Sequence, residues 1–104
     1  MMVELNETNF KQEIANKKLI LVDFYATWCG PCGVQSEVLN KIQKSRAINF
    51  DIVKVNVDEA PNIAMEYGIE SIPTLLLFKD NILVNRTIGL TMEEEIIDIV
   101  KQYE

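Results

Sequence analysis

The segment from Lys18 to Tyr25 is almost continuously apolar and rich in branched side chains. A strand with one face in water alternates apolar and polar residues, whereas a strand that is buried on both faces forms one apolar run. The pattern therefore predicts a central buried strand, in a sheet that helices cover on both faces.

The other segments alternate between strand and helix patterns along the whole chain. Strands are predicted at Val3–Leu5, Lys18–Tyr25, Phe50–Val57, Thr74–Phe78 and Ile82–Ile88, the last two joined by a turn at Lys79–Asn81. Helices are predicted after a cap at Asn6 or Thr8, from Pro31, from Pro61 to a C-cap at Gly68, and after Thr91. This order, β-α-β-α-β-α-β-β-α, predicts an α/β fold. Its central mixed sheet has about five strands, with about four helices on its two faces and an antiparallel hairpin at one edge.

Apolar stripes predict which face of each helix is buried. The predicted buried positions are Phe10 and Ile14 in the first helix, Val34, Val38, Leu39 and Ile42 in the second, Ile63 and Tyr67 in the third, and Ile96, Val100 and Tyr103 in the last. The acidic residues Glu93–Glu95 at the start of the last helix, with Lys101 near its end, complement the helix dipole.

Length and charge narrow the class of function. The 104 residues suffice for one domain, residues 1–104. A net charge of -6 at pH 7 repels phosphate backbones and anionic lipids, so neither nucleic acid nor a membrane is expected as a partner. The start of the sequence lacks the basic stretch and apolar run of a signal peptide, and no apolar run is long enough to span a membrane. We therefore expect a cytoplasmic protein, and a monomer by default.

The chain has two cysteines and no histidine. This composition excludes Ser-His and Cys-His catalysis, and it supplies too few of the about four Cys or His ligands that a zinc or iron–sulfur site needs. A short secreted domain stabilised by disulfides usually has about four cysteines or more. We therefore expect a cytosolic chain whose thiols are kept mostly reduced.

Both cysteines lie in Trp28-Cys29-Gly30-Pro31-Cys32, where the central strand gives way to a helix. With Pro31 at the first helical position, Cys29 lies at the helix N-terminus, where free N–H groups and the helix dipole favour the thiolate. Cys32, one turn further on and more buried, is near enough to close a small disulfide. The pair predicts thiol–disulfide exchange, in which Cys29 attacks a substrate disulfide and Cys32 resolves the mixed disulfide. Half of a metal site shared by two chains, or an incidental spacing, is the alternative.

This motif after an apolar strand resembles the active site of the thioredoxin family. Val22–Ala26, Lys54–Asp58, Tyr67–Thr74 and Gly89 follow in the order in which that family has counterparts. The resemblance implies the thioredoxin fold and a protein dithiol–disulfide oxidoreductase that reduces disulfides in substrate proteins. It implies no bound cofactor, because the redox group is the Cys29–Cys32 pair itself. It also implies re-reduction by a flavin-dependent thioredoxin reductase, with NADPH or another donor behind it.

Asp23 interrupts the buried strand upstream of the cysteines. Because burial raises the pKa of a carboxyl group, we expect Asp23 to be the general base that deprotonates Cys32, through a water molecule, when the mixed disulfide is resolved. The alternative is an aspartate at the strand end that simply reaches water. The resemblance suggests Lys54 as a counter-charge on the neighbouring strand, and an exposed strand lysine is the alternative there.

Pro73, judged from the sequence alone, marks the start of a strand. By resemblance it is a cis-proline that faces the active disulfide, and the backbone beside Ile72 can then pair with an extended substrate. The docking surface predicted on this basis consists of Trp28, Gly30, Pro31, Ile72, Pro73, Gly89 and Leu90. The alternative is that Ile72 and Leu90 belong only to the core.

The sequence departs from the family pattern at several positions around the motif. Gly33 replaces a common basic residue, and Glu37 stands where a proline usually kinks the helix. Tyr25 stands where a second tryptophan is common, Leu90 replaces a small residue, and the turn at Lys79–Ile82 lacks glycine. These departures bear on the choice of partner and on the reduction potential. Two rival functions stay open: an oxidoreductase dedicated to one partner, and a binding module whose thiols are incidental.

Overall fold

The order of strands and helices agrees with the order predicted from the sequence. The computed structural model describes residues 2–104, so Met1 of the predicted domain lies outside the described residues. The elements are β1 (Val3–Leu5), α1 (Phe10–Asn16), β2 (Leu19–Tyr25), α2 (Gly30–Ser45), β3 (Asp51–Asn56), α3 (Pro61–Glu66), β4 (Thr74–Lys79), β5 (Ile82–Ile88) and α4 (Glu93–Lys101).

The strands form one five-stranded sheet in the order β1-β3-β2-β4-β5. β1 and β2 both pair parallel with β3, whereas β4 pairs antiparallel with β2 and with β5. The predicted mixed sheet, with a hairpin at one edge, is therefore confirmed. The apolar segment forms the middle strand, β2, and its side chains are buried except for the half-buried Tyr25.

Each face of the sheet is covered by two helices, as the apolar segment predicted. Because successive side chains of a strand point to opposite faces, Leu19 and Leu21 pack with residues of α2 and α4, including Leu39 and Ile96. Ile20, Val22 and Phe24 pack on the other face, in the cluster that contains residues of α1 and α3. None of the helices in residues 2–104 is long and apolar enough to cross a membrane.

The predicted buried stripe of α2 was wrong at its first position. Val34 is 44% exposed, and the buried side chains are Cys32, Gln35, Leu39 and Ile42. Steps of three and four residues connect these four positions, which is the spacing of one helix face. The buried face of α2 is therefore the one that contains Cys32. This face also places a polar residue, Gln35, in the interior.

The predicted ends of two helices also differ from the structure. α1 is preceded by Asn6, whose Oδ1 accepts hydrogen bonds from the N–H groups of Thr8 and Asn9, so neither Asn6 nor Thr8 is the residue directly before the helix. α4 begins two residues after Thr91, which is buried and hydrogen-bonded to Gln35. Tyr103 lies beyond the end of α4, yet its ring still packs against the core.

The β4–β5 hairpin turns without glycine by placing two residues in the left-handed region, Asp80 at φ 50° and Asn81 at φ 68°. Asp and Asn tolerate this conformation better than other residues with a Cβ. We expect Asn81→Ala to lower the free energy of unfolding by about 1 kcal/mol, because alanine tolerates the left-handed conformation less well than asparagine does. Urea denaturation measures the change, and Asn81→Gly is the matched control that should retain stability. Equal losses in the two variants would contradict this account of the turn.

Candidate active site

The cysteines lie in the segment that leaves the middle strand and enters α2. Cys29 is the N-cap residue of α2, and the N–H of Cys32 donates to Cys29 Sγ at 3.3 Å. The two residues form a disulfide with their Cα atoms 5.3 Å apart. Pro31, just inside the helix, lacks the N–H that would otherwise have no partner there. The local sequence therefore builds a helix start whose N–H groups face a sulfur atom.

The two sulfur-bearing residues differ in their access to solvent. Cys32 is 3% exposed, whereas Cys29 is half-buried and follows Trp28, which is 72% exposed. A reactant arriving from solvent therefore meets Cys29 first. This difference matches the predicted division between an attacking and a resolving cysteine.

The sheet brings four separate chain segments to the same end as the disulfide. Tyr25, the last residue of β2, is aligned with Asn56 at the end of β3, and Phe24 is aligned with Thr74 at the start of β4. Thr74 is aligned in turn with Ile88, the last residue of β5. The residues that flank these strand ends therefore lie at the end of the sheet where Cys29 and Cys32 follow β2.

The segment before β4 contacts the disulfide directly. Cys29 Sγ lies 3.8 Å from the carbonyl oxygen of Ile72, and the Ile72–Pro73 peptide bond is cis. The carbonyl oxygen of Pro73 accepts a hydrogen bond from the N–H of Gly89 at 2.8 Å. Ile72, Pro73 and Gly89, which the sequence analysis grouped with Cys29, are thus joined to it by a chain of contacts.

The predicted docking residues differ in their exposure. Trp28, Gly30, Pro31 and Leu90 are exposed, Ile72 and Gly89 are half-buried, and Pro73 is buried. The alternative that Leu90 is a core residue is wrong, because 44% of it is exposed. The buried Pro73 is therefore not part of the exposed surface that the sequence predicted for docking.

Asp23 is fully buried, as its position in the apolar segment predicted. Its exposure is 0%, and neither carboxylate oxygen has a hydrogen-bond partner among the described residues. Burial raises the pKa of the Asp23 carboxyl group to about 7, and the charge of Lys54 opposes the rise. The alternative of an aspartate that reaches water is therefore wrong, and this carboxyl group changes its charge near neutral pH.

Lys54 lies beside Asp23 in the sheet and is half-buried, which contradicts the alternative of an exposed strand lysine. Its Nζ lies 4.2 Å from the centroid of the Tyr25 ring and 3.4 Å from Ser36 Oγ. The Tyr25 hydroxyl group donates to Glu4 Oε2, and burial and this hydrogen bond raise the pKa of Tyr25 above its ordinary value. A ring under a lysine ammonium group attracts it, so Tyr25 helps to hold the cation near Asp23.

Two side-chain contacts at this end of the sheet were not predicted from the sequence. Trp28 Nε1 donates to Asp58 Oδ2 at 2.8 Å, and the side chain of Gln35 hydrogen-bonds to the backbone of Thr91. In both cases the partner lies far away along the chain. Neither contact has a local pattern, so no periodicity or motif could have predicted it.

The alternative for the two cysteines was half of a metal site shared by two chains, or an incidental spacing, and a single chain tests only for a metal site of its own. Across residues 2–104, no three His, Cys, Asp or Glu side chains are grouped so that they could hold a metal ion. The sulfur atoms are joined to each other, and the chemistry that this arrangement provides is the making and breaking of that bond.

Comparisons with known proteins agree with this chemistry. The family model described as Thioredoxin matches residues 1–102. A thioredoxin from Listeria monocytogenes is 42% identical over 103 residues, which cover 99% of this chain and 99% of that protein.

Solved structures give the same result. A mutant thioredoxin from Halobacterium salinarum superposes with a TM-score of 0.89 at 30% identity, covering 97% of this chain and 88% of that one. Oxidised mitochondrial thioredoxin 3 from Saccharomyces cerevisiae gives a TM-score of 0.85 at 36% identity, covering 97% and 94%.

Proposed function

The chain belongs to the thioredoxin family of thiol-disulfide oxidoreductases, and on this basis we propose that it reduces disulfides in substrate proteins through Cys29 and Cys32 and is re-reduced by a thioredoxin reductase. Thioredoxins use a redox-active disulfide and no cofactor, and the Cys29–Cys32 pair has that role here. The observation that carries the proposal is the Cys29–Cys32 disulfide, with Cys29 accessible and Cys32 buried at the start of α2.

In the first step, the Cys29 thiolate attacks one sulfur of a substrate disulfide. A bond forms between Cys29 Sγ and that sulfur, the substrate S–S bond breaks, and the other substrate sulfur leaves as a thiolate that takes up a proton. The free N–H groups at the start of α2, with the N–H of Cys32 at 3.3 Å, favour negative charge on Cys29. The accessible sulfur is therefore also the one that the helix activates.

In the second step, Cys32 attacks Cys29 Sγ in the mixed disulfide. The Cys29–Cys32 bond forms, and the second substrate sulfur leaves as a thiolate, so that two electrons have passed to the substrate. A buried thiol ionises poorly, and a carboxylate with a pKa of about 7 can accept its proton at neutral pH. We assign that proton to Asp23, through a water molecule.

Substrate docking is assigned to the apolar surface around Cys29. The exposed side chain of Trp28 and the half-buried Ile72 border the sulfur, and the Ile72 carbonyl oxygen already lies 3.8 Å from it. An extended substrate segment can hydrogen-bond to backbone at this position, as in other edge-strand recognition of peptides. Lys54 supports the site by its charge next to Asp23.

The cycle closes when a flavin-dependent reductase returns two electrons to the Cys29–Cys32 disulfide and two protons are taken up. NADPH, or another donor of two electrons, supplies the reductase. The proposal places the chain in the cytoplasm, where thiols are kept reduced, as a monomer with one domain over residues 1–104.

The reduction potential of the Cys29–Cys32 pair tests this function. We expect a value well below that of the glutathione pool, because a general reductant of protein disulfides must remain reduced in its presence. The protein is equilibrated in dithiol buffers of known ratio, thiols are counted by alkylation and mass, and the single tryptophan, Trp28, provides a fluorescence check. A potential above the glutathione value would contradict a general reductant. It would indicate an isomerase-like enzyme or one dedicated to a single partner.

A further inference from the structure

Gln35 is a fully buried polar residue on the helix that carries the cysteines. Its exposure is 0%, and it lies one turn after Cys32 on the same face of α2. A polar side chain is buried at a cost unless its hydrogen bonds are satisfied. The partners of Gln35 therefore indicate why a polar group occupies this position.

Both ends of the Gln35 carboxamide bind one residue, Thr91. Its Nε2 donates to the carbonyl oxygen of Thr91 at 2.9 Å, and its Oε1 accepts from the N–H of Thr91 at 2.8 Å. A side-chain amide and a backbone segment thus form a reciprocal pair, like two residues paired across a sheet. Thr91 is 3% exposed, so both hydrogen bonds lie in the interior.

The loop Gly89–Thr91 is held at both ends by such contacts. At one end, the N–H of Gly89 donates to the carbonyl oxygen of Pro73 at 2.8 Å, and at the other, Thr91 is held by Gln35. Between them lies Leu90, which is 44% exposed. Gly89 has φ 89°, a conformation available mainly to glycine. Because glycine restricts the backbone less than any other residue, the loop depends on its hydrogen bonds to stay in place.

We propose that Gln35 is a positioning residue for protein substrates: it fixes Leu90 relative to Cys29 by joining Thr91 to the helix that carries the disulfide. This inference rests on the proposed function and assigns Gln35 no part in the exchange of sulfur atoms. Without Gln35, the loop occupies the docking position for only a fraction of the time. The apparent affinity for a protein substrate is then multiplied by that fraction. A small disulfide that does not reach Leu90 is unaffected.

Two substitutions separate this role from stability alone. Gln35→Met keeps the length of the side chain and removes both hydrogen bonds to Thr91. Gln35→Leu also removes both hydrogen bonds and leaves no polar side chain in the interior. Circular-dichroism melting shows which variants are folded, and Gln35→Leu carries the test if Gln35→Met does not fold.

Pre-reduced protein is mixed with excess oxidised insulin or with 2-hydroxyethyl disulfide. The fluorescence of Trp28 reports the oxidation of the Cys29–Cys32 pair. We expect the half-saturating concentration of insulin to rise about tenfold in Gln35→Met, with the maximal rate retained. The second-order rate with 2-hydroxyethyl disulfide should stay within about twofold, and the reduction potential should not change. If Gln35 contributed only to stability, its substitution would not weaken the reaction with insulin while leaving the reaction with 2-hydroxyethyl disulfide unchanged.

Gln43→Met is the matched control, because Gln43 is half-buried further along the same helix, α2. It should leave the reaction with insulin unchanged. If the folded Gln35 variants react with insulin as the unsubstituted chain does, the inference about Gln35 is overturned while the proposed function stands. If the unsubstituted chain reduces neither compound, the proposed function is contradicted and the inference falls with it.

Discussion

Replacing Cys29 with serine is expected to lower the rate of disulfide reduction by at least about 1,000-fold, because the attacking thiolate is removed and no second thiol is accessible. Cys32 cannot substitute for it, since only 3% of Cys32 is exposed. The measurement is the reduction of insulin disulfides by the variant in the presence of a chemical dithiol. Because serine is close in size to cysteine, the variant should fold. Its unfolding transition, compared with that of the reduced unsubstituted protein, checks this.

Cys32→Ser is the companion variant and gives a different result. Cys29 still attacks, but no second thiol resolves the product, so a covalent mixed disulfide with the substrate accumulates and is visible by mass. A chain that acts only as a binding module would keep its partner when both cysteines are replaced by serine. Full activity in Cys29→Ser would contradict the assignment of the nucleophile.

Asp23→Asn is expected to make the oxidised protein more stable at alkaline pH, by up to about 4 kcal/mol. The pKa of this buried carboxyl group is about 7 in the folded chain, against an ordinary value of 3.8 for aspartate, and each pKa unit of difference corresponds to about 1.4 kcal/mol. Between these values the folded state holds a proton that the unfolded state has released. The free energy of unfolding therefore falls as the pH rises from about 4 to about 7.

The asparagine variant lacks this fall, so the two proteins should have similar stability near pH 4 and differ most near pH 8. Urea denaturation of the oxidised proteins at both pH values measures the difference, and the cysteines do not titrate in that form. Asp51→Asn, on the exposed first residue of β3, is the control and should change little. A constant difference between Asp23→Asn and the unsubstituted chain at all pH values would contradict the raised pKa.

The same substitution tests Asp23 as the proton acceptor. We expect Asp23→Asn to slow the resolution of the mixed disulfide about 100-fold near neutral pH and to remove the rise in rate through about pH 7. Lys54→Gln should move that rise to higher pH, because the charge of Lys54 lowers the pKa of Asp23. An unchanged pH profile in Asp23→Asn would exclude the proton-transfer role.

The order of elements and the cysteine site were predictable because both depend on local patterns. The apolar segment around Val22 identified the middle strand, and the position of Pro31 placed Cys29 at the start of a helix. The burial of Asp23 was predictable for the same reason, since a strand that is apolar on both faces is covered on both sides.

Gln35 was missed because the hydrophobic pattern favours Val34 as the buried residue and glutamine as the exposed one. What decides the outcome is the backbone of Thr91, 56 residues away along the chain, which presents a donor and an acceptor to that face of α2. The start of α4 was displaced for the same reason, because Thr91 uses its backbone to bind Gln35 and does not open the helix. Contacts of this kind exist only after the fold has brought distant segments together.

The distance along the chain between Gln35 and Thr91 also bears on how the protein is made. Translation proceeds from the amino terminus, so Cys29 and Cys32 are added to the chain before Ile72 and Thr91. At about 5–20 residues per second, the 56 residues from Ser36 to Thr91 take roughly 3–11 s to synthesise. Throughout that interval the nascent chain carries two thiols without the complete docking surface proposed around them. The protection of these thiols during synthesis therefore depends on the surroundings of the nascent chain and not on the completed fold.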